Sequence, residues 1–227
     1  ISSNGPLTIG NLRALDNLAG EISSLGVLKL AAASLDNRNG RLISREWLRL
    51  SLGQGDNRGG LLSGWQGLQL TGRSLDNRQG GTLSSRDGDL DVQLAGALLN
   101  SGEGALVAAT RLDIQADSLD NSDRGILSSG AGQRLQISQQ LDNRAGQIDA
   151  AESLTVEANS LINAGGLLQA QDLTLVSETL DNNRGRIAAS GAATLSVDST
   201  LSNVAGQLAS AGPLKVAADT LDNQGGT

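Results

Sequence analysis

Cysteine, histidine, methionine, tyrosine and phenylalanine are all missing from this 227-residue sequence; proline occurs twice, and the only aromatic residues are Trp47 and Trp65. Each absence closes off some chemistry. Without histidine or cysteine there is no Ser-His-Asp or Cys-His nucleophile and no Cys/His zinc site. Without cysteine there is no disulfide to hold the fold. A net charge of −7, from 17 basic and 24 acidic residues, argues against a nucleic-acid partner. No apolar run reaches the length of a membrane span, and residues 1–30 lack the basic, apolar, small-residue order of an export signal. The chain therefore reads as no integral membrane protein, with any targeting signal lying outside it. No cofactor and no metal are expected.

What the sequence has instead is a repeat. Leu-Asp-Asn, or a near relative, ends at Asn17, Asn37, Asn57, Asn77, Asn100, Asn121, Asn143, Asn163, Asn182, Asn203 and Asn223. The ten intervals run from 19 to 23 residues, with a mean of 20.6. Gly stands three residues after the Asn in nine of the eleven cases, as at Gly20, Gly40, Gly60 and Gly80, and slips by one at Gly104 and Gly125. A Leu-x-aliphatic pair follows in each interval, for example Leu48/Leu50, Leu112/Ile114, Leu135/Ile137, Leu154/Val156 and Leu195/Val197. A fixed period of this kind decides the architecture before any local propensity does.

Inside each repeat the apolar period is two, which is strand geometry, and the runs are broken by Gly, Asn, Asp and Ser. Three short strands and their corners fit in about 20 residues, one coil of a parallel β-helix. Eleven coils at about 4.8 Å each predict a rod about 50 Å long. A leucine-rich repeat would place its Asn three residues after the Leu-x-Leu pair, whereas Leu30 and Asn37 are seven apart. The expected fold is all-β, a right-handed parallel β-helix, with residues 1–227 forming one array.

Stacking turns each repeat position into a column. About 40 leucines, with Ile and Val, supply the core, and a narrow interior suits aliphatics better than rings. The eleven Asn are expected at tight corners in the left-handed region, their amides bonded coil to coil. The Gly column is expected there for its positive φ. Asp precedes Asn at Asp16, Asp36, Asp56, Asp76, Asp120, Asp142, Asp181 and Asp222. That column should face solvent and pair with Arg38, Arg58, Arg78 and Arg144.

Departures from the repeat are where a site could be grafted. The interval from Asn77 to Asn100 has about three extra residues and includes Arg86-Asp87-Gly88-Asp89-Leu90-Asp91. An EF-hand starting at Asp87 would need Gly at position 92 and Glu at position 98, where Val92 and Leu98 stand. The interval from Asn121 to Asn143 is expected to bulge around Ser128–Gly132. Trp47 and Trp65 lie on consecutive coils near Arg41, Arg45 and Arg49. These five residues form a candidate patch for a receptor or glycan. Charge is uneven too: residues 1–113 carry 11 basic and 11 acidic groups, residues 114–227 carry 6 and 13.

Segments such as Leu35-Asp36-Asn37-Arg38-Asn39-Gly40-Arg41-Leu42-Ile43-Ser44 and Leu75-Asp76-Asn77-Arg78-Gln79-Gly80-Gly81 carry a resemblance to a known family. They resemble the filamentous-haemagglutinin-type repeats of bacterial two-partner secretion exoproteins, a group of large adhesins, haemolysins and contact-dependent growth inhibition effectors. The resemblance implies a right-handed β-helix within a long filament, secreted to the cell surface through a dedicated outer-membrane pore. It makes this chain an interior segment of something longer. The leading functional expectation is a non-enzymatic stalk; the alternative is that this segment itself binds a receptor or glycan. A third reading, a polysaccharide-degrading β-helix enzyme, would need an isolated carboxylate cluster rather than a regular Asp column.

Overall fold

The computed structural model describes residues 1–227 as an all-strand, parallel β-solenoid of about eleven coils. Each coil contributes one short strand, such as Arg41–Ser44, and one long strand, such as Trp47–Asp56. The short strands stack into an 11-stranded sheet and the long ones into a 14-stranded sheet. The expected three strands per coil are thus two in most coils, because the second and third run on through a bend. They separate in three coils only, as in Asp89–Leu94 with Ala97–Leu99. A bend inside a strand needs no turn residues when both halves still pair with the coils on either side.

Period-two alternation sends Ile22, Leu42, Leu62 and Leu83 inward from the short strands, facing Leu28, Leu48, Leu68 and Leu90 from the long ones. Forty-five buried aliphatics form one continuous core. Two coils are registered differently from the sequence pattern. Leu135 aligns with Ile114 and Val156, so Gln133 takes the place of Leu112 and Leu154. Likewise Leu195 aligns with Leu175, and Ala193 with Leu173. The slip is two residues, which keeps every side chain on its own side of the sheet.

The extra residues also fall elsewhere than expected. In the coil after Asn77 they are spread one to each corner: in the Asn turn, at Arg86–Gly88, and at Ala95–Gly96. In the coil after Asn121 one lies in the turn and one at the bend near Ser138–Gln139, where the register shifts. Residues Ser129–Gln133 match the length of the corners on either side, so the expected bulge there is absent.

Glycine works by a different mechanism from the one expected. The left-handed residue is the one before the column Gly, as at Ala19 (φ 52°), Asn39 (φ 54°) and Ala145 (φ 52°). Neither the ladder Asn residues nor Gly40 and Gly60 have positive φ. The column needs Gly for lack of space: a Cβ on Gly60 would sit 2.2 Å from the Asn37 carbonyl oxygen and 2.6 Å from Asn57 Oδ1. In the coil after Asn77 that position belongs to Gly81, not Gly80; the longer turn there has two left-handed residues, Gln79 (φ 57°) and Gly80 (φ 77°).

Candidate functional site

The Asn corner is the most regular feature of the molecule. From Asn17 to Asn203 each Asn backbone N–H donates to the next coil at 2.6–2.7 Å, as from Asn37 to Asp56 O. This fixes the Asn side chain pointing inward, against the next Asn along. Asn17 Nδ2 donates to Asn37 Oδ1 at 2.7 Å, Asn37 to Asn57 at 2.6 Å, and Asn57 to Asn77 at 2.7 Å. The series continues through Asn100, Asn121, Asn143, Asn163, Asn182 and Asn203 to Asn223. Every donor points the same way along the rod, and the second amide hydrogen reaches a carbonyl of its own turn, such as Gly40 O from Asn37. Asn37 through Asn203 are completely buried. The ten rungs form a ladder inside the corner, and its amides are taken up by one another.

Each of the eight Asp carboxylates accepts the backbone N–H two residues on, closing the turn outside the ladder. The expected arginine partners are in place: Arg38 on Asp36 at 2.6 Å, Arg58 on Asp56 at 2.6 Å, Arg78 on Asp76 at 2.7 Å and Arg144 on Asp142 at 2.5 Å. Arg38 also lies 3.8 Å from Asp56, and Arg58 3.7 Å from Asp76, so the pairs are linked between coils. The hydrogen bonds from Arg38 hold the Asp36 carboxyl below the usual carboxylate range. At Asp120, burial pushes the pKa up, but hydroxyl bonds from Ser122 and Ser101 outweigh it and the net direction is down. These carboxylates are occupied in closing turns.

In the charged stretch after Ser85, Asp89 accepts the Thr110 hydroxyl at 2.5 Å and the Arg111 N–H at 3.1 Å. Those bonds lower its pKa, the Thr110 bond being the larger cause. Asp89 thus ties its loop to the next coil.

The five residues of the expected patch divide into separate contacts. Arg45 Cζ lies 4.9 Å from the Trp65 ring centroid, and Arg49 Cζ 5.5 Å from that of Trp47. Trp47 stands on the outer face, alternate to the buried Leu48, and is half-buried there because its ring lies over Gly67 on the next coil; a Cβ on Gly67 would be 2.5 Å from the ring edge. Arg41 pairs with Glu21 at 4.0 Å and covers neither ring. The residue missing from the expectation is Arg86, whose Cζ is 4.7 Å from the Trp65 centroid. Arg45, Trp65 and Arg86 occupy one corner column, each donating its N–H to the preceding coil. Trp65 is therefore flanked by a guanidinium from the coil on each side. The signal was the offset: Arg45 and Trp65 lie eight residues after their Asn, and Arg86 nine after Asn77, where the turn is one residue longer.

A concave groove of about 1050 Å³ runs along the outer face of the long-strand sheet between Leu94 and Ser199. The chain has no helix, and so none long and apolar enough to cross a membrane.

A family model described as the haemagglutinin repeat matches residues 1–51, 48–102, 87–145, 132–197 and 188–227. Toxin CdiA of Escherichia coli is 35% identical over 131 residues, which are 57% of this chain and 4% of that protein. The chain thus spans a small fraction of the length of its relative. No solved structure matches it. With matches that run end to end across the eleven coils, the chain belongs to the haemagglutinin repeat family.

Proposed function

We propose that this array is a rigid, rod-like stalk segment of a secreted, cell-surface bacterial exoprotein, extending an adhesive or toxin-delivering part toward target cells. The observation that carries the reading is the asparagine ladder, whose ten rungs join all eleven coils without a gap. Coils tied together both by backbone pairing and by buried amides resist bending, and length then grows by about 4.8 Å per coil. Membership of the haemagglutinin repeat family, and a relative named as a toxin, support an adhesin or toxin-carrying parent. The reading includes export through an outer-membrane secretion pore. A chain with no cysteine suits that route, since no disulfide-closed loop can block its transit.

Two measurements test it. Small-angle scattering should give an elongated monomer, lengthened by about 5 Å for each duplicated coil; a length that does not follow coil number would sink the rod. Labelled chain should show no saturable binding to bacterial or animal cells if its role is length.

A second reading makes the segment the receptor- or glycan-binding part, and the Arg45–Trp65–Arg86 stack favours it. Saturable cell binding that is lost in a Trp47→Ala/Trp65→Ala double variant would establish it over the spacer. Release of reducing ends from a polysaccharide digest would instead revive the enzyme reading.

A further inference from the structure

We propose that the groove on the long-strand sheet docks an extended, cationic polypeptide segment. Its wall follows the bend of the sheet, where Asp117, Ser138, Asn159, Glu178 and Asp198 stand on five successive coils. Each follows one of the register-matched residues Ala116, Ile137, Ala158, Ser177 and Val197. Beside them Gln115, Gln136, Glu157 and Val176 form the next column, again one to a coil. No Lys or Arg lines the groove, and none lies within ion-pair distance of Asp117, Glu157, Glu178 or Asp198. Four carboxylates are thus left without a cation of the chain's own.

Shape and chemistry together select the occupant. From Asp117 to Asp198 is four coil steps, about 19 Å, the length of about six extended residues. An extended segment alternates its side chains, so one with Lys or Arg at every second position puts about three cations on the face toward the groove. The Ser138 hydroxyl already donates to Asp117 at 2.9 Å and the Gln136 amide to Glu157 at 3.3 Å. The amides of Gln115 and Asn159 and the Gln136 Oε1 offer hydrogen bonds to a peptide backbone, and Val176, one of the exposed large aliphatics, offers an apolar contact. The buried Oγ of Ser177, at the floor, has no partner in the chain. Toward the other end the same sheet face carries Lys29 and Arg49 beside Thr8 and Ile9. Positive charge there confines a cationic segment to the acidic stretch.

The test is fluorescence anisotropy of the full chain with a dye-labelled peptide alternating lysine and valine, with spermine as a second probe. The groove variant is Glu157→Gln/Glu178→Gln/Asp198→Asn. The control, Asp87→Asn/Asp149→Asn/Glu152→Gln, removes the same charge from outside the groove. Equal melting temperatures of the two variants establish that both fold. We expect saturable peptide binding, weakened about tenfold or more in the groove variant and little changed in the control. Equal weakening in both variants would mean a general attraction to an acidic rod and would overturn the proposal. So would the absence of saturable binding, or spermine binding as tightly as the peptide.

Discussion

Asn57 donates its side-chain amide to Asn77 Oδ1 at 2.7 Å, and neither residue is reached by solvent. Asn77 in turn donates to Asn100 at 2.8 Å, so it serves as acceptor on one side and donor on the other. Asn77→Ala removes both rungs at once and leaves the buried Oδ1 of Asn100 without its donor. We expect a loss of about 2–4 kcal/mol, read as a lower urea midpoint with an unchanged slope. Asn77→Asp should cost at least as much at neutral pH, because a carboxylate can accept from Asn57 but cannot donate to Asn100. Two midpoints indistinguishable from the parent's would show that the ladder does not stabilise the array.

Glycine at the same corner gives a paired prediction. Gly60→Ala places a methyl group 2.2 Å from the Asn37 carbonyl oxygen, and that oxygen belongs to a backbone locked in the ladder. Gly80→Ala meets nothing within 4 Å, and its cost is confined to the left-handed φ of +77°. The first should destabilise by about 3 kcal/mol and the second by about 1 kcal/mol. The order of the two melting temperatures checks this, and a reversed order would return the column glycines to a conformational role.

The solenoid, the number of its coils and the ladder were legible in the sequence because each column repeats a residue type eleven times. The detail within a coil was less so. Leu135/Ile137 and Leu154/Val156 read as one column, yet Leu135 aligns with Val156. A two-residue slip preserves the inward-outward alternation, so composition alone cannot detect it. The extra residues after Asn77 read as a single insertion because the charged stretch from Arg86 draws the eye, whereas each corner takes up one of them. For the patch, sequence proximity gathered Arg41 with the tryptophans but missed Arg86, since lateral neighbours in a solenoid are about 20 residues apart. Counting from each Asn would have found it.

Acid should weaken the fold through its turn-closing carboxylates. Asp36, Asp76, Asp89 and Asp120 all have pKa values lowered in the folded chain from an ordinary 3.8. At Asp76 burial raises the value, and the bonds from Arg78 overcome it. A lowered folded pKa means that the unfolded chain binds more protons in this range, so stability rises with pH. The contribution is complete above the unfolded pKa and is lost as pH falls through the folded values. Urea midpoints should be level from about pH 6 to pH 8 and decline below about pH 4. Asp120→Asn should flatten part of that decline. A midpoint that rises on acidification would contradict the sign.

Gln133 sits where neighbouring coils have Leu112 and Leu154, and it is buried. Its Nε2 donates to Asp149 O at 3.0 Å, but its Oε1 has no partner. A buried amide half satisfied in this way loses more to desolvation than its one hydrogen bond returns. Leu has a similar volume and is the residue that the adjoining coils already accommodate at this position, so Gln133→Leu fills the column without enlarging it. We expect the array to gain about 1 kcal/mol, seen as a raised melting temperature. Gln133→Ala should separate the two contributions: it removes the orphaned oxygen and the Asp149 bond together but opens a cavity between Leu112 and Leu154. It should therefore be less stable than Gln133→Leu by about 2–3 kcal/mol. If Gln133→Leu instead lowers the melting temperature, the bond to Asp149 outweighs the unpaired oxygen, and Gln133 anchors that coil to the short strand Gln147–Ala150.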